Sequence, residues 1–233
     1  RDSVASRGLG DVYKRQGVII EVNSQTDFLA LQDDFKGFVK DSLDEAFAQN
    51  LTDVAPLIAS RESAREALVA KCGENVNIRR LTAVSGDTVG AYLHGHRIGV
   101  LVVLKGGSDE LAKHVAMHVA ASNPAVVSPD QVSEELVAKE KEIFLQLNAD
   151  KIAGKPENIV ENMIKGRINK FLAEASLVEQ AFIMDPEVKV GDLVKKAGAE
   201  IVSFVRYEVG EGIEKAENDF AAEVAAQVAA SKQ

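Results

Sequence analysis

The sequence predicts an α+β protein: two related subdomains, each with a small antiparallel sheet and helices, plus an inserted helical hairpin (a coiled-coil arm) and a C-terminal helix. Three observations carry this. β-rich runs alternate with stretches of helical period. The order strand, loop, amphipathic helix occurs twice, first from GVIIEVN and again from RIGVLVVLK. A charged segment with a narrow apolar seam interrupts the second occurrence. The expected divisions are a leader over 1–16, an N-terminal core subdomain over 17–87 and a C-terminal core subdomain over 88–126 and 178–212. The hairpin is placed at 127–177 and a C-terminal helical module at 213–233.

Residues 1–16 read RDSVASRGLGDVYKRQ and show no sustained apolar period. The stretch resembles a translated adapter or assembly scar, and a disordered, non-native leader is expected there. Residues 17–23 form a β-rich run, with Val18, Ile19, Ile20 and Val22. Without a partner on its leading side, that strand is expected to stand as a partly unpaired edge.

A helix is expected over 32–49, where Phe35, Phe38, Val39, Leu43 and Phe47 recur at helical spacing. A short segment over 54–58 follows, with Pro56 confined to a first turn, and then a second helix over 60–71 closed by Gly73. Residues 76–84 read as a strand. Residues 89–94 and 97–105 read as two more, joined through His94-Gly95-His96. Ser108 can cap a helix over 109–121.

In the hairpin, Val132, Leu136, Ile143 and Leu147 line one helix and Val160, Ile164, Ile168 and Phe171 the other, with Gly154-Lys155-Pro156 between them. Each is too short to be stable alone, so the two must pack on one another. The core resumes with an apolar run at 181–184, a helix over 190–197, a strand over 200–209 and an Ala-rich helix over 213–230.

Composition narrows the function. Of 233 residues, 27 are Lys or Arg and 36 Asp or Glu, a net charge of −9. That balance argues against nucleic-acid binding, which requires neutralised phosphates, and 5% aromatics without Trp leave few stacking platforms. No apolar run approaches the roughly 18 residues that span a bilayer. A single cysteine, Cys72, excludes a disulfide scaffold and a cysteine-built zinc site and fits a reducing cytosol. A cytoplasmic location is expected.

Motifs for covalent chemistry are missing: no P-loop, no dinucleotide fingerprint, no nucleophile elbow. His114 and His118 share a helix face at zinc-like spacing but lack the intervening acid of HExxH, so packing or hydrogen bonding is expected of them. Neither a metal nor a cofactor is expected. Cys72 matches no catalytic signature and reads as a packing residue. The loop Asn23-Ser24-Gln25-Thr26-Asp27-Phe28 has two readings. In one, Thr26 or Asp27 caps the next helix and Phe28 folds back as a staple. In the other, the loop presents a carboxylate and a ring to a partner.

NSQTDF directly after GVIIEVN closely resembles the signature of bacterial elongation factor Ts. AKCGENVNIRR resembles the Gly-Glu-Asn block of that family, and HGHRIGVLV and KHVAMHVAAS its second subdomain. GKP with Gly166-Arg167 resembles its helical hairpin, and FVRYEVGEGIEK and NDFAAEVAAQ its terminal strand and helix. The likeness runs in family order from Gly17 onward, while the small helical domain that opens family members is not recognisable.

The resemblance implies a guanine nucleotide exchange factor with no covalent chemistry of its own, acting on elongation factor Tu during translation elongation. It implies that Asp27 and Phe28, framed by Thr26 and Leu29, insert beside the partner's Mg²⁺ and phosphate site. Cys72, Gly73 and His94 would share that contact surface. No direct nucleic acid or membrane partner is implied. Self-association through the C-terminal subdomain is a further expectation. The competing readings from other classes are an interaction scaffold built on the helical hairpin, with no GTPase role, and a small-molecule enzyme that uses the histidines.

Overall fold

The computed structural model describes residues 3–11 and 14–213. Two three-stranded antiparallel sheets lie face to face, each covered by helices on its outer side. The first has the order β1-β2-β3, from β1 (Ser3–Asp11), β2 (Lys14–Ser24) and β3 (Val76–Gly86). The second has the order β4-β5-β8, from β4 (Thr88–His94), β5 (Ile98–Lys105) and β8 (Glu200–Glu208).

Strand alternation explains the layering, because successive side chains leave a strand on opposite faces. Val18, Ile20 and Val22 of β2 turn outward into a core with Phe35, Phe38 and Leu43 of α2 (Asp33–Ala48) and Leu57 and Leu68 of α3 (Val54–Cys72). Ile19 turns the other way and meets Val89, Leu101, Val103 and Tyr207 of the second sheet. On β5, Val100, Val102 and Leu104 face α4 (Asp109–Ser122) in a further core, while Leu101 and Val103 face the first sheet. In both sheets the middle strand leads on to a helix that covers the outer face, which is the twofold echo visible in the sequence. Gly90 lets β4 and α4 approach closely: a Cβ there would lie 2.5 Å from the Ala112 carbonyl carbon.

Three expectations are corrected. Within 1–16, residues Ser3–Asp11 form β1, paired antiparallel with β2 from Ser3↔Val22 to Asp11↔Lys14. β2 is therefore the middle strand of its sheet and not an unpaired edge: hydrogen bonding to both neighbours outweighs the lack of an apolar period in the leading segment. The expected break at residue 59 is also absent. Pro56 is the third residue of α3, where its missing N–H costs nothing, and the helix runs unbroken to Cys72.

Between α4 and the short hairpin β6 (Ala181–Phe182) and β7 (Asp185–Lys189) lie α5 (Glu134–Leu147), the one-turn α6 (Ala149–Ile152) and α7 (Glu157–Ala175). Helices α5 and α7 are in contact, and Arg167 Nε donates to Glu140 Oε1 across them at 2.7 Å. Helix α8 (Val190–Lys196) precedes β8. The expected C-terminal helix over 213–230 lies outside the described residues, apart from Ile213.

Candidate functional site

The loop after β2 is built around Thr26. Its side chain is the N-cap of the single-turn helix α1 (Asp27–Ala30), accepting the Leu29 N–H at 3.3 Å. Ser24 Oγ donates to the Thr26 carbonyl at 3.0 Å. Two donors of Thr26, the backbone N–H and the hydroxyl, both reach the Glu74 carboxylate, at 3.0 and 2.7 Å. Leu29 is buried in the first core and anchors the turn. Asp27 and Phe28 are exposed, the ring 81% so, and Leu31 beside them is 62% exposed. The capping reading thus holds for Thr26, but its companion expectation of Phe28 folded back as a staple is corrected: the ring projects into solvent.

Cys72 and Gly73 end α3. Gly73 takes φ +73°, the left-handed conformation a C-cap needs, and its N–H donates to the Val69 carbonyl at 2.8 Å. Cys72 is half-buried against the first core, and its Sγ donates weakly to the Glu74 carbonyl at 3.5 Å. Glu74 therefore brings 72–73 and 26–29 together. His94 stands elsewhere, exposed at the end of β4 in the second sheet, with its ring beside Tyr92.

Glu74 is the residue that sequence reasoning missed. The clue available was a carboxylate directly after a helix-closing glycine, but nothing local shows which amide it will meet.

His118 is fully buried. Its Nε2 lies 2.9 Å from Gln180 Oε1, and its Nδ1 accepts the Ile183 N–H at 3.2 Å. Both ring nitrogens are thus committed to packing a neighbouring segment. Burial depresses its pKa, and the bond to Gln180 offsets part of that. Among the described residues no group of three or more His, Cys, Asp or Glu could hold a metal ion. No described helix is long and apolar enough to cross a membrane.

The geometry thus places an exposed aromatic on a capped turn that Glu74 holds beside the end of α3. The family model for elongation factor TS matches residues 25–211. Elongation factor Ts of Ectopseudomonas mendocina (strain ymp) is 93% identical over 218 residues, covering 94% of this chain and 76% of the relative. Elongation factor Ts of Stutzerimonas stutzeri (strain A1501) is 88% identical over 217 residues, and that of Azotobacter vinelandii (strain DJ / ATCC BAA-1303) 83% over 219, each covered to 76%. The chain belongs to the elongation factor Ts family, and so to the translation elongation factors of protein biosynthesis.

Proposed function

We propose that this chain is a guanine nucleotide exchange factor that releases GDP from elongation factor Tu in the cytoplasm. The observation that carries the reading is the Phe28 ring, 81% exposed on a turn fixed by a side-chain cap, in a chain of this family. Aromatic residues, Phe among them, are enriched at protein interfaces. Asp27 and Phe28 insert against the GTPase and displace the elements that hold Mg²⁺ and the phosphates. Thr26 and Leu29 fix the turn, and Cys72, Gly73 and His94 complete the contact surface. The chain makes and breaks no covalent bond. By linkage, a protein that binds the nucleotide-free GTPase more tightly than the GDP form lowers GDP affinity by the same factor, and an incoming nucleotide reverses the coupling.

The sheet β1-β2-β3 with α1–α3 forms one subdomain in this reading, and β4-β5-β8 with α4 and α8 the other. Residues 127–177 form an arm inserted in the second. Support for the arm comes from its base: the Ala125 and Val126 N–H groups donate to the Ala175 carbonyl, and Leu177 and Val178 donate back to Val126 and Val127. The deciding experiment is release of fluorescent GDP from elongation factor Tu with the wild-type chain and with Phe28→Ala. The wild type accelerates release, and the variant loses at least about tenfold of that acceleration, as expected for an interface anchor. Undiminished release by a folded Phe28→Ala protein excludes the wedge. A wild-type chain that leaves GDP release at its basal rate returns the scaffold reading.

A further inference from the structure

A helix N-cap leaves its own backbone N–H in need of an acceptor. Where the third helical residue is Glu or Gln, its side chain folds back to take that N–H and completes a reciprocal capping box. In α1 the third residue is Leu29, which is buried and has no acceptor to offer. The role is filled from 48 positions away: Glu74 accepts the Thr26 N–H at Oε2 and the Thr26 hydroxyl at Oε1. The hydroxyl works in both directions, donating to Glu74 while accepting the Leu29 N–H. Serine or threonine can do this. Aspartate, an equally good N-cap, has no proton to donate and would face a second carboxylate.

Glu74 is itself fixed by its surroundings. Gly73 turns the chain out of α3 just before it, and the Cys72 thiol donates to its carbonyl. Arg65 Nη1 then holds the following residues, donating to Asn75 Oδ1 at 3.3 Å and to the Val76 carbonyl at 3.2 Å. One carboxylate thus ties the start of α1 to the end of α3.

We propose that Glu74 is the positioning residue of the exchange reaction: it completes the cap of α1 from a distance and so sets the direction in which Phe28 projects, relative to residues 72–73. This rests on the exchange reading above. A four-residue helix has no stability of its own, so the order of the turn must be imposed from outside it. Removing the clamp lowers the fraction of turns in the competent conformation. Turns in either conformation dock through the rest of the contact surface, so the maximal exchange rate falls with the competent fraction while the half-saturating concentration stays close to its original value.

The test measures two things on the full chain: fluorescent GDP release from elongation factor Tu against chain concentration, and amide hydrogen exchange of Thr26 in the chain alone. Two charge-assisted hydrogen bonds are lost in Glu74→Ala, so its maximal release rate should fall at least about tenfold with a change under about threefold in half-saturation, and its Thr26 amide should exchange at least about tenfold faster. Glu74→Gln keeps one acceptor oxygen, lies between, and serves if the alanine variant fails to fold by circular dichroism. Thr26→Ser retains both properties and Thr26→Asp loses both. A folded Glu74→Ala protein with the wild-type release rate, or with unchanged Thr26 protection, overturns the positioning role; if Phe28→Ala is inactive in the same assay, the exchange reading stands alone. A wild-type chain that leaves GDP release at its basal rate overturns both together.

Discussion

Phe28 and His118 are both aromatic rings, and their surroundings assign them opposite duties. Phe28 faces solvent, so Phe28→Ala should leave unfolding stability within about 0.5 kcal/mol of wild type in a urea titration, even as exchange falls. The cap belongs to Thr26, so the cap loss of about 0.5–2 kcal/mol attaches to Thr26→Ala. His118 is a packing residue whose neutral form the fold requires: its Nδ1 accepts from the Ile183 N–H and cannot also carry a proton. Burial first, opposed in part by the Gln180 bond, holds its pKa below the ordinary 6.5. The sign follows from linkage. Below 6.5 the unfolded chain takes up a proton that the folded chain refuses, so stability is full above that value and lost as pH falls toward the depressed folded pKa. Urea midpoints should therefore drop through the range just below 6.5, and His118→Gln, which titrates nothing there, should flatten that drop at the expense of lower stability overall. A wild-type midpoint indifferent to pH across that range would contradict it.

Among the elements, the segment from α5 to α7 joins the rest through its two ends. Those ends are hydrogen-bonded to each other, with Val126 bridged to Ser176, so the chain leaves and returns at one place. None of the residues of α5 or α7 is fully buried, and Leu147 is 79% exposed. Replacing residues 132–171 with a short Gly/Ser linker should therefore give a protein that unfolds cooperatively with its remaining circular dichroism intact. Global unfolding of that protein would show that the segment belongs to the core. The two helices of this segment were legible from their helical spacing, but the seam expected on α5 is corrected: Leu136, Ile143 and Leu147 are exposed, and Val137 and Phe144 beside them are the half-buried ones. β2 and β5 were legible from short β-branched apolar runs bounded by turn residues. Helix α3 was less so, because a proline in a first turn looks the same in sequence as one that breaks a helix. β1 was not legible at all. Its residues carry no period, and its pairing comes from backbone groups that any sequence possesses. Thr26 was readable as a cap because capping is local, whereas Glu74 depends on where α3 ends in space.

At the scale of the whole molecule, the two sheets are fastened by a buried carboxylate. Glu21 lies in β2 amid an apolar run and is inaccessible to solvent. It accepts the Gly210 N–H at 2.8 Å from beyond β8, together with Asn23 Nδ2, Arg79 Nη1 and Arg80 Nε. Consecutive strand residues point to opposite faces, so Arg79 and Arg80 could not both reach it from a regular β3. The register of β2 and β3 slips there, with Glu21 opposite Arg80 and Val22 opposite Ile78, and Arg79 is the extra residue of the bulge. Both arginines continue across the junction: Arg79 donates to the Glu211 carbonyl and Arg80 to that of Glu208, with Arg80 also stacked 3.9 Å over the Tyr207 ring. β2 leads into the Thr26 turn and the second sheet carries His94, so this junction sets the spacing of the two parts of the proposed contact surface. Removing one member of a buried ion network leaves the others desolvated and unpaired, which costs about 3–5 kcal/mol. Glu21→Ala should lose stability on that scale in urea. Its cost should also depend on pH. Burial pushes the Glu21 pKa up, but the bonds from Gly210, Asn23 and Arg80 outweigh it and hold the group below its ordinary 4.5. The stabilisation is therefore complete above that value and lost as pH falls through the depressed folded pKa. The wild type and Glu21→Ala should converge in stability in that acid range, well below the His118 window, and a gap between them that stays constant down to acid pH would show that Glu21 packs without acting as a charge.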